Sequence, residues 1–176
     1  MMELDKLPLT GKLTRSQLME AIQKDLATIT MNERIKAMAH IKDDAQYLPR
    51  KERESYIKTT NKTFIKRLDI IKNDKNKYKG NIDTIKLGKF FKVSQELIEN
   101  PYNENELAFQ KIAKIVATYA AFVKMESIHQ IGTRFPGNLQ LIHTIKGYLC
   151  PVKEKQLKNP TALCHFCVAL QNENNF

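Results

Sequence analysis

Residues 103–123 read NENELAFQKIAKIVATYAAFV and carry the strongest helical pattern in the sequence. It opens with a helix-capping pattern, in which Asn103 is followed three residues later by Glu106. Behind the cap, apolar side chains recur at steps of four, three, four and three residues: Ala108, Ile112, Ile115, Tyr119 and Phe122. Such spacing places all five on one side of an α-helix. The stretch therefore predicts a long helix with a buried stripe against which other helices pack.

Four further helical patterns precede this stretch. A capping box at Thr14 starts the first, whose apolar positions continue to residue 29. The second covers residues 35–48, and Pro49 then suits the first turn of the third, which reaches residue 71. The fourth fits residues 82–98. Five helices around a common stripe indicate a mainly α protein, a helical bundle of about five helices.

The pattern changes after residue 128. Gly132, Pro136 and Gly137 exclude a helix through residues 129–138. Short β-like runs then flank Gly147, which suits the turn of a β-hairpin because glycine tolerates a positive φ. A last short helix is predicted over residues 161–171, behind Asn159-Pro160. We expect a helical bundle at 1–128 and a C-terminal segment at 129–176 packed on it, together one domain.

All three cysteines lie in this C-terminal segment. Cys164 and Cys167 form a Cys-x-x-Cys, and Cys150 belongs to the second strand of the predicted hairpin. Two thiolates at that spacing can bind one metal ion from a single turn, and a third can reach it from a neighbouring hairpin. The alternative is a cluster of buried, reduced cysteines, since cysteine is among the most buried residue types. The spacing of the thiols and the glycines and prolines that break up this segment together favour a metal site that organises it.

Zinc is the metal that this pattern favours. Structural zinc takes four ligands, mostly Cys and His, so one place remains beside the three thiolates. His129 is our first choice because it opens the irregular loop, while His143 and His165 are alternatives. An iron–sulfur cluster fits less well because such clusters are usually held by four cysteines. If the zinc kept an open position with water, Glu154 or His165 could act as a base.

The positive charge of the chain is concentrated in its middle. The net charge is +10, and residues 50–92 hold fourteen basic and five acidic side chains. This distribution is typical of an electrostatic contact surface for a polyanion such as nucleic acid. The alternative is an ordinary solvated lysine-rich helix, because few aromatic residues are present to stack on bases. The candidate polyanion-binding residues are Arg50, Lys51, Arg53, Lys58, Lys62, Lys66, Arg67 and Lys72.

Several protein classes do not fit the sequence. No signal-peptide layout is visible, and the longest apolar run, residues 112–123, is too short to span a bilayer and contains Lys114. We expect a cytoplasmic protein without a membrane association, in which the thiols stay reduced. The phosphate-binding, dinucleotide-binding and His-Glu-x-x-His patterns are absent.

Three short strings resemble a known family. Residues 129–137 read HQIGTRFPG, residues 148–156 read YLCPVKEKQ, and residues 159–167 read NPTALCHFC. Together they are similar to the C-terminal motifs of an uncharacterised archaeal family of methanogens, domain of unknown function 2115. The similarity covers roughly the last third of the chain. It implies an intracellular archaeal protein and marks His129 and the three cysteines as the positions to test, but it implies no activity.

The sequence thus predicts a binding or interaction module that carries one structural zinc ion. Two other functions are consistent with the same residues: a metal-dependent enzyme with an open zinc position, and an iron–sulfur redox protein. The ligand count at the metal would separate the first two, because four protein ligands are typical of structural zinc and three plus water of catalytic zinc. Substrate and partner do not follow from the sequence.

Overall fold

A computed structural model describes residues 1–173 of the chain. The described part is mainly helical, as predicted, and its strands are short and confined to the C-terminal segment. No helix in it is long and apolar enough to cross a lipid bilayer. The helices are α1 (Arg15–Thr28), α2 (Met31–Asp44), α3 (Arg50–Asn73), α4 (Thr84–Glu99), α5 (Glu104–Thr118) and α6 (Lys153–Leu157). The strands are β1 (Arg134–Phe135), β2 (Leu139–Gln140), β3 (Ile142–Thr144), β4 (Gly147–Cys150) and β5 (Leu170–Gln171).

Helix α5 is the centre of the bundle. The Asn103 side chain accepts a hydrogen bond from the Glu106 N–H at 2.9 Å and so caps its first turn. All five residues of the predicted stripe are buried. The helix continues as a wider π-helical turn, Tyr119–Lys124, and ends at Met125, which adopts a left-handed conformation with φ 56°. The capping pattern and the apolar spacing therefore predicted both the start and the buried face of this helix.

Polar groups on α5 are also buried, and each has partners. Lys114 is fully buried, and its ammonium donates to Asp5 at 2.5 Å and to Gln95 at 3.3 Å. The Tyr119 hydroxyl donates to the Asp74 carboxylate at 2.7 Å. An unpaired buried charge or hydroxyl would lower the stability of the fold by roughly several kcal/mol. These contacts therefore allow a helix with polar residues to lie in the core.

Helices α1 to α4 surround α5. Helix α1 begins at the predicted capping box, where the Thr14 hydroxyl accepts from the Gln17 N–H at 3.2 Å. Helix α2 begins earlier than predicted, at a second capping box formed by Thr30 and Glu33, and packs along α5. Pro49 lies directly before α3 as its N-cap. The first five helices thus follow the sequence prediction to within a few residues at their ends.

The C-terminal segment forms two small sheets. The predicted hairpin is present as β3 and β4, with Gly147 at φ 103° in its turn. A second hairpin, β1 with β2, precedes it. The helix predicted over residues 161–171 is wrong, because this stretch contains only a 3₁₀ turn, Leu163–His165, and then β5. Strand β5 pairs in parallel with β4, a distant pairing that the local apolar pattern does not reveal.

The segment and the bundle share a hydrophobic core. Phe166 is buried among bundle residues and meets the ring of Phe90 edge-on, with ring centroids 5.3 Å apart. A smaller cluster inside the segment contains Leu141, Cys150 and Ala169. The segment is therefore packed on the bundle while it also has apolar contacts of its own. A division between residues 128 and 129 stays a prediction.

Removal of the α5 cap tests the role of this helix in stability. Asn103→Ala should lower the free energy of unfolding by about 1 kcal/mol, because the Glu106 N–H loses its acceptor. Urea unfolding followed by circular dichroism measures this change. Asn105→Ala, a half-buried position inside the same first turn whose amide makes a long contact of 3.5 Å with Asp43, is the matched control and should change stability little. Equal destabilisation by both variants would contradict the capping role.

Candidate functional site

A cavity of about 470 Å³ lies between the helices and the C-terminal segment. Its helical wall includes Phe64 on α3 and Phe109 and Val116 on α5. Its other wall belongs to the segment. A volume of this size is within the range of small-molecule sites, roughly 300–1,000 Å³. The candidate ligands that line the cavity are His129, Cys150, Cys164 and Cys167.

A second cavity of about 480 Å³ adjoins the first. The two share five lining residues and are therefore compartments of one recess. The second compartment is closed on one side by Tyr56 of α3 and by Phe135 and Pro136 from the β1–β2 hairpin. The shared residues are Asp44, His129, Cys150, Gln156 and Cys164. Three of the four predicted metal ligands thus face both compartments.

Cys150 is the last residue of β4 and is buried in the small core of the segment. Burial raises the pKa of its thiol. The backbone N–H groups of Val152 and Lys153 and the positive charge of Lys153 oppose this rise, whereas a charge on Cys167 adds to it. The sulfur therefore carries a proton at neutral pH unless a cation replaces that proton.

The Cys-x-x-Cys forms the 3₁₀ turn and the residues just after it. The ammonium of Lys153 donates to the carbonyl oxygens of both Cys164 and Cys167, the latter at 2.9 Å. The sulfur of Cys167 accepts a hydrogen bond from the Ile128 N–H at 3.3 Å. Burial, followed by the neighbouring charges of Cys167 and Cys150, raises the pKa of Cys164. The three thiols are free rather than disulfide-bonded and lie close enough to influence one another's charge.

His129 is the histidine that the recess brings to the cysteines. Its side chain is exposed to the recess, and its ring meets Phe135 edge-on at 5.4 Å between centroids. The surrounding protein lowers the pKa of the imidazole, because it disfavours the charged form. A neutral imidazole is the form that binds metals. The other two candidates lie elsewhere: His143 packs on Tyr148, and His165 bonds the Asn159 carbonyl at 2.9 Å on the surface.

The four candidate ligands share a recess but are not gathered around a point. Among residues 1–173, no three His, Cys, Asp or Glu side chains form a group that could hold a metal ion as they stand. Zinc bonds of about 2.3 Å to sulfur would require the thiols to turn toward a common centre. The metal site therefore stays a prediction, in which side-chain rotation accompanies binding.

Arg67 corrects one of the polyanion-binding predictions. It is only 5% exposed and lines the cavity instead of the outer surface. Its guanidinium donates to the Glu126 carboxylate at 3.0 Å and to the Ser127 carbonyl at 3.3 Å. This arginine follows Lys66 directly, so one step of about 100° around the helix separates an outward cation from an inward one. The other seven predicted residues are exposed on α3.

Comparison with known proteins gives one family match. Residues 14–172 match the family described as an uncharacterized protein conserved in archaea, DUF2115. The chain belongs to this family. It is 37% identical to a UPF0305 protein of Methanothermobacter thermautotrophicus over 92% of this chain and 99% of the relative. It is 31% identical to a UPF0305 protein of Methanocaldococcus jannaschii over 86% of this chain and 93% of the relative. No solved structure matches the chain.

Membership extends the resemblance beyond the C-terminal strings to the helices, since the match begins at the α1 capping box. It assigns no activity to the recess. One residue of the site escaped the sequence prediction: Lys153 lies three positions after Cys150 inside the quoted string YLCPVKEKQ. The sequence shows that Lys153 is near Cys150. Its hydrogen bonds to the carbonyls of the Cys-x-x-Cys, however, depend on how residues 164–167 fold back toward α6.

Replacement of Lys153 tests whether its ammonium holds the Cys-x-x-Cys turn. Lys153→Met keeps the aliphatic stem but leaves the Cys164 and Cys167 carbonyls without this donor. The free energy of unfolding should fall by about 1.5–3 kcal/mol, the range for hydrogen bonds to a charged group. Chemical denaturation measures the loss. Lys155→Met, which removes an exposed lysine of the same helix, is the control and should leave stability nearly unchanged. A loss of similar size in both variants would contradict the assignment.

Proposed function

We propose that this protein is a zinc-binding module in which Cys150, Cys164, Cys167 and His129 bind one ion at the wall of the recess. The observation that supports the proposal is that these four side chains, from separate parts of the segment, line one cavity. Thiolates and a neutral imidazole are the ligands that zinc prefers in proteins. The three thiols are also free to be ligands, because none forms a disulfide.

The ligand set favours zinc over an iron–sulfur cluster. Such clusters usually take four cysteine ligands, and the chain contains three cysteines. A single tetrahedral ion requires four ligands, which the three thiolates and His129 supply. An intracellular, reducing location is part of the proposal, since oxidation of Cys164 and Cys167 would remove two ligands.

The proposed role of the ion is structural: it would link parts of the C-terminal segment that make few contacts with one another. Cys150 ends β4, the two other cysteines follow α6, and His129 opens the loop after the bundle. One ion bound to all of them would fix the hairpin, the Cys-x-x-Cys turn and the loop in one arrangement. Metal binding of this kind contributes directly to folding. The bundle needs no such help, because capping boxes and a continuous apolar core specify it.

A catalytic zinc is the second candidate, and one observation favours it. His129 is exposed to a recess large enough for a small molecule. An ion held by the three thiolates alone would keep a position open toward that recess, where water could bind. The ligand count at the bound metal distinguishes the two proposals.

Elemental analysis of protein purified without oxygen tests the metal itself. We expect about one zinc per chain in the wild type, and much less in Cys164→Ser. His129→Gln should weaken zinc retention against a chelator, whereas the matched variants His143→Gln and His165→Gln should not. Cobalt substitution followed by absorption spectroscopy then reports the ligand count. Metal-free wild-type protein, or iron with the colour of a cluster, would overturn the zinc proposal.

Limited proteolysis tests whether the metal holds the C-terminal segment. In Cys164→Ser, the protease should cleave within residues 129–173 first, while the helical circular dichroism signal of the bundle persists. The reason is that the segment has only a small core of its own besides its contacts with the bundle. A serine at exposed position 143, His143→Ser, serves as the control. Loss of all helical signal in Cys164→Ser would show that bundle and segment fold as one unit, contrary to this role.

A further inference from the structure

Helix α3 and the loop after it present an unusual excess of exposed positive charge. Ten lysine and arginine side chains are exposed along residues 50–79, whereas Glu54 and Asp69 are the exposed acidic ones. The two other acids of this stretch are half-buried: Glu52 accepts from the Gly137 N–H, and Asp74 accepts from Tyr78 and Tyr119. The exposed cations, here called the α3 basic face, are Arg50, Lys51, Arg53, Lys58, Lys62, Lys66, Lys72, Lys75, Lys77 and Lys79.

The α3 basic face is not neutralised from within the protein. In the described part of the chain, none of its ten members takes part in an ion pair, whereas other basic residues do, such as Lys36 with Glu104 and Arg67 with Glu126. Lys58, Lys62 and Lys66 also follow one another at intervals of four residues. Like charges at that spacing destabilise a helix by about 0.2–0.5 kcal/mol per pair. Each such pair therefore lowers the stability of the helix slightly, and a bound anion would offset this small cost.

The geometry of the face is set by the opposite side of α3. Phe64, Leu68 and Ile71 pack in the core of the bundle and hold the helix against it. The three lysines at intervals of four therefore form a row on the outside, with a rise of about 6 Å from one to the next. The helical part of the α3 basic face extends about 31 Å along the helix axis from Lys51 to Lys72. This length is close to one turn of a nucleic-acid duplex, about 34 Å.

We propose that the α3 basic face binds the phosphate backbone of double-stranded nucleic acid. Lysine ammonium groups act as mobile point charges, which suits phosphates and does not read base edges. Binding is consequently independent of sequence. The interaction is separate from the recess, which α3 lines with its inner face through Thr63, Phe64 and Arg67.

Fluorescence anisotropy with a labelled duplex of about 20 base pairs tests the proposal, since this length exceeds one turn. With about six phosphates neutralised, affinity should fall roughly 1,000-fold between 50 and 200 mM salt. Duplex DNA and duplex RNA are measured in parallel, together with a single strand of equal length. Tighter binding of either duplex than of the single strand is expected. The duplex that binds more tightly, DNA or RNA, identifies which nucleic acid supplies the phosphates.

A triple variant that removes three positive charges from α3 tests whether this helix makes the contact. Lys58→Gln, Lys62→Gln and Lys66→Gln together should weaken duplex binding at low salt and reduce the slope of log affinity against log salt by about 2.7, since each phosphate contact contributes about 0.9. The matched control replaces three exposed lysines outside the face, Lys12, Lys146 and Lys158, by glutamine. It has the same net charge and should retain both affinity and slope. Circular dichroism verifies that both variants are folded.

Four results would overturn the proposal. The first is absence of duplex binding by the wild type at 50 mM salt. The second is equal weakening in the α3 variant and in the control, which would show a general charge effect. The third is preference for the single strand. The fourth is displacement of the labelled duplex by a polyglutamate peptide of matched charge as effectively as by unlabelled duplex. This result would indicate that the face binds an acidic protein instead. Zinc content is measured on the same samples, so failure of this proposal and failure of the zinc proposal remain distinguishable.

Discussion

Helix α5 is buried on nearly every side, and the other helices of the bundle pack around it. A helix enclosed in this way must satisfy its polar side chains inside the protein, because water cannot reach them. Lys114 meets this requirement through Asp5 and Gln95, which come from the N-terminus and from α4. Thr118 donates to the Lys114 carbonyl within the helix at 2.6 Å. Distant parts of the chain are thereby drawn to α5 by hydrogen bonds as well as by apolar contacts.

The same requirement separates the basic side chains into two groups. Lys114 and Arg67 are buried, and each is paired with a carboxylate, Asp5 or Glu126. The lysines on the outer side of α3 remain in water, where an unpaired charge costs little. Helix α3 consequently has two different faces: one contributes Phe64 and Arg67 to the recess, and the other concentrates positive charge. Two functions can therefore share this helix without sharing a residue.

The recess exists because the C-terminal segment folds back over α3 and α5. Arg67 binds Glu126 and Ser127 just before the loop that carries His129, and Phe166 anchors the far end of the segment in the core. The chain between these two attachments, together with Cys167 just after the second, forms the wall that contains the cysteines. The cavity and the thiols are thus products of one arrangement, which explains why a bound metal would act on both.

The local sequence specified the helices, because capping boxes and apolar spacing act within a few residues: Thr14 begins α1, and the stripe from Ala108 to Phe122 is buried. It also determined the β3–β4 hairpin through Gly147, and it selected the cysteines as the place to look for a site. The folded arrangement was needed to place residues 170–171 in a strand beside β4 and to turn Arg67 inward. It was also needed to choose among the three histidines, of which His129, the first choice from the sequence, lies with the cysteines. These outcomes depend on contacts between residues far apart in the chain, and the spacing of apolar residues within a short stretch does not predict such contacts.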